Sequence, residues 1–436
     1  MIVKNDQLSF ISGLKEFEIL VKQESPLWAY NLRKESLDRF AKRGLPTVKE
    51  EEWKYTNVAS LKEHQFQIAS DSSKMAQLKE LKAYYRKEEI NLVFINGVFS
   101  EELSNLKKLP KGLKVADVND AALYSQKEAA FVLQRYPQDQ DDSFIALNKA
   151  FLYRVAFVQI DPKTVIKPLI HIIHVTDAVK SSVSSFPRSL IMLGKSAEAQ
   201  VMESHLSFSD DTYLTNALSD IVLDQDAKLV YCKAQGESKN AFHIGTTRVW
   251  QERDSQLDSF SLMTGGKITR NNLNIVLNGS GAHATLNGLY LINGNQHVDN
   301  HTAVDHRPPN CTSTQLYKGI LYDAARAVFN GKIFVKKEAQ QTNSYQLNKN
   351  LLLGPDCRVD TKPQLEIFAD DVKCTHGATI GQLNEDEIFY LQTRCIPKSQ
   401  AVEMLARGFV DDILNRIADE SIVAKLNKLL AEYFQD

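Results

Sequence analysis

Residues 282–302 read AHATLNGLYLINGNQHVDNHT, and residues 325–345 read ARAVFNGKIFVKKEAQQTNSY. Aligned 43 positions apart, both segments contain the pattern A-x-A-x-x-N-G, followed by a strand-like run with an aliphatic side chain at Ile292 or Val335. Asn300 and Asn343 also coincide in this alignment. An offset of 43 corresponds to two coils of about 21 residues, which lies within the range of units that stack into solenoids. The repeat therefore predicts a β-solenoid, with a β-sandwich as the alternative.

The chain changes character on either side of this repeat. Short β-branched runs separated by Asn, Gly and Asp follow one another from about residue 155 to residue 381, as in all-β repeat folds. Before them, apolar residues recur at helical spacing, and Asn96-Gly97 between apolar arms predicts a hairpin. After them, Asn384 followed by three acidic residues predicts a helix start, and Pro397 predicts another. We expect a mainly β protein with flanking helices: a mostly helical region over 1–150, a β core over 151–381 and a helical region over 382–436.

The composition excludes several classes of function. The chain has 436 residues and a formal net charge of −2, from 52 basic and 54 acidic side chains, so it lacks the basic excess of a nucleic-acid-binding protein. Its first twenty residues resemble neither a signal peptide nor a transit peptide, and no run of apolar residues is long enough to span a membrane. We therefore expect a cytoplasmic protein. No Walker A, GxGxxG, GxSxG or HExxH motif is present, so any nucleotide must be bound by a partner.

The first candidate site is the segment 365–381, LEIFADDVKCTHGATIG. Cys374 and His376 are two residues apart, so in an extended strand their thiol and imidazole point to the same face. Two ligands cannot complete a metal coordination sphere. The pair is therefore either half of a site that another chain completes or a buried thiol beside a satisfied histidine. A catalytic Cys-His dyad is a third interpretation, which this spacing does not favour.

A second candidate site lies in the first copy of the repeat. Strand geometry places His297, Asp299 and His301 on one face, and imidazole with carboxylate suits zinc or iron. The alternative is a ladder of polar side chains without a metal. The positions 43 residues later favour that alternative because they are also polar: Gln340, Thr342 and Ser344.

Three segments resemble the SufB/SufD family of iron–sulfur cluster assembly proteins. They are TSTQLYKGILYDAARAVFNGKIFV at 312–335, TKPQLEIFADDVKCTHGATIG at 361–381, and LNEDEIFYLQTRCI at 383–396 with AVEMLARGF at 401–409. A fourth, GLPTVKEEEWKYTN at 44–57, is similar to the SufD branch of that family. The resemblance covers essentially the whole chain.

The resemblance implies a right-handed parallel β-helix between helical N- and C-terminal domains. It also implies a non-catalytic scaffold that pairs with SufB and binds the SufC ATPase, whose ATP hydrolysis drives assembly of the cluster. His376 matches the functional histidine of the family at the SufB interface, and Cys374 is its neighbour in the motif. They would hold a transient iron ion or iron–sulfur cluster that is shared with SufB, with no cofactor bound stably by this chain alone.

The same resemblance assigns SufC docking to the C-terminal helices. The residues that we expect to take part are Phe389, Met404, Leu405 and Phe409. Three alternatives remain at this point: a homodimer of the isolated chain, an iron-entry protein, and a β-helix metalloenzyme that uses His297, Asp299 and His301.

Overall fold

The computed structural model describes residues 6–24, 27–68, 81, 84–116, 142–178, 182–431 and 433–434. Within these residues, the α-helices lie toward the two ends of the chain. They are α1 (Leu14–Glu24), α2 (Leu27–Arg43), α3 (Ser143–Ala150), α4 (Glu385–Thr393), α5 (Lys398–Leu414) and α6 (Glu420–Leu430).

The strands occupy most of the chain between these helices. The first nine are β1 (Ile11–Ser12), β2 (Phe66–Ile68), β3 (Ile90–Ile95), β4 (Val98–Phe99), β5 (Leu113–Ala116), β6 (Ala156–Ile160), β7 (Ile170–Thr176), β8 (Val183–Ser185) and β9 (Arg188–Leu193). The longer strands that follow are β10 (Glu198–Ser207), β11 (Leu214–Leu223), β12 (Lys228–Gly236), β13 (Phe242–Gln251), β14 (Gln256–Met263), β15 (Ile268–Leu277), β16 (His283–Ile292), β17 (His297–His306), β18 (Thr312–Leu321), β19 (Arg326–Val335), β20 (Thr342–Leu352), β21 (Arg358–Ile367) and β22 (Val372–Gly381).

These strands form two sheets, which in the described residues contain 12 and 10 strands. From β10 to β22, successive strands alternate between the two sheets, and each pairs in parallel with the next strand of its own sheet. The chain therefore winds through one strand of each sheet per coil. This arrangement is a parallel β-helix with flanking helices and confirms the predicted fold class.

The length of a coil differs from the sequence prediction. Residues stacked on neighbouring coils are separated by 29 positions at His283 and Thr312 and by 31 positions at Ser313 and Ser344. The expected coil of about 21 residues is therefore wrong. The 43-residue offset relates β16 to β19, which lie in opposite sheets. Two strands with similar packing, rather than two copies of one coil, produced the sequence similarity.

The Asn-Gly pair shared by those two strands has a packing cause. Gly288 lies in register with Tyr317, and a Cβ atom on Gly288 would be only 2.2 Å from the ring of Tyr317. A Cβ atom on Gly331 would be 2.1 Å from Nε2 of Gln346. Each glycine leaves room for a large side chain that fills the interior of the β-helix.

Apolar side chains occupy much of this interior and one outer face. Isoleucine, leucine and valine side chains of both sheets fill the interior, as Ile221 and Val249 of the 12-stranded sheet and Leu257 of the 10-stranded sheet illustrate. On the outer face of the 10-stranded sheet, α5 and α6 bury a second apolar cluster. Its members include Met202, Phe260, Leu289, Val410, Ile413, Leu426 and Leu430. The C-terminal helices are thus anchored on the solenoid.

The N-terminal region contributes strands as well as helices. β1 and β2 extend the 12-stranded sheet, whereas β3 and β4 extend the other. Asn96 and Gly97 have φ values of 50° and 80°, and they join β3 to β4 in the predicted antiparallel hairpin. Across the described part of the chain, no helix has the length and apolar character needed to cross a bilayer.

Candidate functional site

The last coil of the solenoid ends without a covering strand. β21 pairs with β19 and β22 pairs with β20, and no described strand pairs with the other edge of β21 or β22. The interior of the coil below is covered by the last coil, since Ser344 and Gln346 of β20 are only 1% and 0% exposed. The described part of the solenoid therefore ends openly at β21 and β22, and this end is named the open end below.

Cys374 and His376 lie on the inward face of this open end. In the β20–β22 pairing, Cys374 is opposite Ser344 and His376 is opposite Gln346. Because paired residues of parallel strands point to the same side, both side chains continue the inward-facing columns of the coil below. This confirms that the two residues share a face. His376 is exposed, since no coil covers it, whereas Cys374 is half-buried beside Val372 and Leu365.

Cys374 and His376 differ in their availability as metal ligands because their environments differ. Burial raises the pKa of the Cys374 thiol, and the hydrogen bond from the Ser344 backbone only partly offsets this effect. A thiol with a raised pKa is a weaker metal ligand and nucleophile at neutral pH, because both roles require the thiolate. The exposed imidazole of His376 is therefore the more available ligand.

Apolar side chains surround the open end. Phe368, in the turn between β21 and β22, is 62% exposed, and three further large apolar residues are also exposed: Tyr345, Ile367 and Ile380. The turn itself is fixed from below, since the Asp371 N–H donates to Oε1 of Gln340 at 2.9 Å. An ordered surface with free strand edges and exposed apolar groups is suited to contact with another protein.

The predicted docking residues of the C-terminal helices lie in two different environments. Phe389 and Met404 are 67% and 53% exposed. Leu405 is half-buried and borders a shallow cavity between α4 and α5. Phe409 instead packs on the solenoid: its ring lies 4.3 Å from Nζ of Lys318, which also donates to the Phe409 carbonyl at 2.8 Å.

His297, Asp299 and His301 point outward on β17, and the segment 52–56 covers them. Arg270 Nη1 donates to Oδ2 of Asp299 at 2.7 Å, and Thr56 Oγ1 donates to the same oxygen at 2.5 Å. The other oxygen of Asp299 is 2.9 Å from His301 Nε2. Burial alone would raise the pKa of Asp299, but Arg270 and His301 outweigh burial and lower it. The carboxylate is thus already neutralised by protein groups.

The same network extends to the N-terminal region. His301 Nδ1 is 3.4 Å from Oε2 of Glu52, and Lys332 pairs with the other oxygen of Glu52. The hydrogen bond from His301 and the charge of Lys332 lower the pKa of Glu52 to about 2 despite partial burial. Among the residues that the structure describes, no three His, Cys, Asp or Glu side chains are arranged to hold a metal ion. The ion pairs of Asp299 with Arg270 and His301, and of Glu52 with Lys332, favour the polar-ladder interpretation.

A buried polar cluster inside the solenoid was missed by the sequence analysis. Glu203 accepts hydrogen bonds from Ser189, Ser219 and Tyr231 at 2.9, 2.8 and 2.7 Å. His174 and His205 stack beside it, with their ring centroids 5.0 Å apart. These residues come from five strands, so only the register, which the sequence does not reveal, brings them together. The polar run Glu203-Ser204-His205 in β10 was the available signal.

The fold and the open end together define a class of protein: a parallel β-helix with flanking helices that carries an imidazole and a thiol on the inward face of its last coil. Residues 174–409 match the SufBD core domain of the SUF system for FeS cluster assembly, and residues 4–172 match the SufBD protein N-terminal region. The chain belongs to the SufBD family.

Individual relatives agree with this assignment. The chain is 31% identical to an iron–sulfur cluster assembly SufBD family protein of Synechocystis, over 97% of this chain and 94% of the relative. It is 32% identical to the iron–sulfur cluster assembly protein SufD of Escherichia coli, over 88% of each chain. It is also 26% identical to the chloroplastic protein ABCI7 of Arabidopsis thaliana, over 93% of this chain and 86% of the relative.

Proposed function

We propose that this protein is a non-catalytic scaffold subunit that works in the cytoplasm with SufB and the SufC ATPase. The observation that carries the proposal is the open end, where His376 is exposed on the inward face of the last strand. SufB would cover that end and supply the remaining ligands of a nascent iron–sulfur cluster. The cluster is the product of assembly and not a resident cofactor of this chain.

The chemistry of the open end supports a shared site. A neutral imidazole offers one nitrogen lone pair to iron, and the half-buried Cys374 offers a thiol whose raised pKa makes it the weaker partner. Two such groups leave most of a coordination sphere empty. A second protein surface that docks on Phe368 and Ile380 would bring its own ligands and exclude water.

The C-terminal helices are the proposed site for SufC. Phe389 and Met404 project from α4 and α5 on the side that the solenoid does not bury. Leu405 adds apolar surface between them, and Phe409 fixes α5 to the sheet through Lys318. In this arrangement SufC binds helices that are anchored on the solenoid. A conformational change of SufC during ATP hydrolysis would therefore be transmitted through the solenoid to the open end.

The test is His376→Ala in the complex reconstituted with SufB and SufC under anaerobic conditions. We expect cluster formation, followed by absorbance and by iron and sulfide content, to fall roughly tenfold or more, because even indirect partners of a metal ligand matter by that factor. Thr375→Ala, an exposed neighbour on the opposite face of β22, is the matched control. Unchanged cluster yield in His376→Ala would rule out the ligand role.

A further inference from the structure

Two buried amides lie in one column beneath His376. Gln315 of β18 pairs with Gln346 of β20, which in turn pairs with His376 of β22. Gln315 and Gln346 are 2% and 0% exposed. The column therefore runs from the closed interior of the solenoid to the open end, with His376 as its last member.

Hydrogen bonds orient both amides in the same sense. Nε2 of Gln315 donates to Oγ1 of Thr302 at 2.7 Å, and Nε2 of Gln346 donates to Oε1 of Gln315 at 2.9 Å. This arrangement leaves Oε1 of Gln346 as a buried acceptor without a hydrogen-bond partner. An unpaired buried carbonyl oxygen costs about 1–3 kcal/mol, so a donor in reach is strongly favoured. The next residue of the column is His376, which carries such a donor.

The packing around Gln346 restricts its amide. A Cβ atom on Gly331 would lie 2.1 Å from Nε2 of Gln346 and 2.7 Å from its Cδ. Gly331 therefore leaves just enough space for the amide on the opposite wall of the interior. Because this space confines the amide and Nε2 donates to Gln315, the column fixes the orientation of its oxygen.

We propose that Gln346 is a positioning residue for His376: its Oε1 accepts a hydrogen bond from one ring N–H of the imidazole. A neutral imidazole has a single N–H, so this hydrogen bond selects one tautomer. The second ring nitrogen then carries its lone pair toward the open end, where a metal ligand is needed. The significance of this tautomer for assembly rests on the proposed function, whereas the hydrogen bond itself does not.

The direct test is the tautomer of His376 in the full chain, read from the ¹⁵N chemical shifts of histidine-labelled protein. We expect a single tautomer in the wild type and a mixture in Gln346→Met, which keeps the length of the side chain but removes the acceptor. Gln346→Glu retains an acceptor oxygen and should restore the wild-type tautomer. Asn348→Leu, the next buried amide on the inward face, lies beneath Ala378 and is the matched control.

Several outcomes would overturn the inference. A mixture of tautomers in the wild type contradicts it whether or not any variant folds. An unchanged tautomer in Gln346→Met, or an equal change in Asn348→Leu, assigns Gln346 a purely structural role. In the complex, Gln346→Met should weaken iron binding about 10–100-fold, as the loss of such partners does elsewhere.

The inference and the proposed function fail separately. If His376→Ala abolishes cluster formation while Gln346→Met leaves the tautomer unchanged, the scaffold function stands and the positioning role is wrong. If Gln346→Met changes the tautomer while His376→Ala leaves cluster formation intact, Gln346 positions His376 but the proposed ligand role is wrong.

Discussion

Asp299 is a buried carboxylate beneath the N-terminal segment, and its neighbours determine how much stability is lost when the carboxylate is removed. Asp299→Ala would leave Arg270 buried at 3% exposure without its carboxylate partner. We expect a loss of about 3–5 kcal/mol in the free energy of unfolding, as for other broken buried ion pairs. Urea unfolding followed by circular dichroism measures this loss. Asp258→Ala, an exposed carboxylate on β14, is the control and should change stability little.

The same variant distinguishes between two interpretations of Asp299, a member of an ion-pair network and a metal ligand. If Asp299 were a metal ligand, metal analysis would find bound zinc or iron in the isolated wild type and none in Asp299→Ala.

The sequence predicted correctly that His297, Asp299 and His301 share a face, because side chains alternate along a strand. It could not predict that Arg270 neutralises the carboxylate or that Thr56 donates a hydrogen bond to it, since those residues are 29 and 243 positions away.

Glycines inside the strands determine how closely the coils can pack. Gly288→Ala would place a methyl group 2.2 Å from the ring of Tyr317, which is fully buried. We expect a loss of about 1–3 kcal/mol in the free energy of unfolding, the usual effect of overpacking a core. Gly408→Ala in α5 meets no atom within 4 Å and provides the control.

The control should move stability in the opposite direction. Alanine in a helix interior is favoured over glycine by about 0.8–1 kcal/mol, so thermal unfolding of Gly408→Ala should shift upward. If Gly288→Ala leaves the free energy of unfolding unchanged, Tyr317 can move aside.

The sequence indicated both strands through their shared Asn-Gly pair but did not indicate that they lie in opposite sheets. Strand similarity reports local packing, whereas the length of a coil also depends on turns whose spacing varies.

The stability of the whole molecule should depend on pH because histidines are buried without charge. Burial lowers the pKa of His205 well below 6.5, and the nearby His243, His174 and Lys233 lower it further, whereas Glu203 opposes them. Burial also lowers the pKa of His171, with a smaller contribution from Lys425. Below pH 6.5 the unfolded chain binds protons that the folded chain does not. Stability is therefore full above that pH and falls as the pH decreases.

Each such histidine contributes at most about 1.4 kcal/mol per pH unit to this dependence. We expect the free energy of unfolding to decrease between pH 7 and pH 5, and His205→Gln to reduce the slope. Urea titrations at several pH values measure the effect, with His376→Gln, at an exposed position, as the control. An identical slope in His205→Gln would show that His205 takes up a proton in the folded protein.

The open end was the most predictable part of the molecule, and the interior was the least. The position of Cys374 and His376 just before the helical region placed them at the end of the β region, and their spacing placed them on one face. The exposed ring of Phe368 and the acceptor of Gln346 required the register of the last two coils. The interior cluster around Glu203 likewise depends on pairings between distant strands.

The two-strand coil limits how a protein of this kind can change its length. Insertion or loss of a segment equal to one coil, 26 to 32 residues here, returns the chain to the same sheet and the same register. Insertion of about half that length would move every later strand to the opposite sheet and give it different neighbours. Descendants of this fold can therefore grow or shrink only in whole coils, and each such step would carry the terminal imidazole outward or inward by about 4.8 Å without altering the surface presented to a partner.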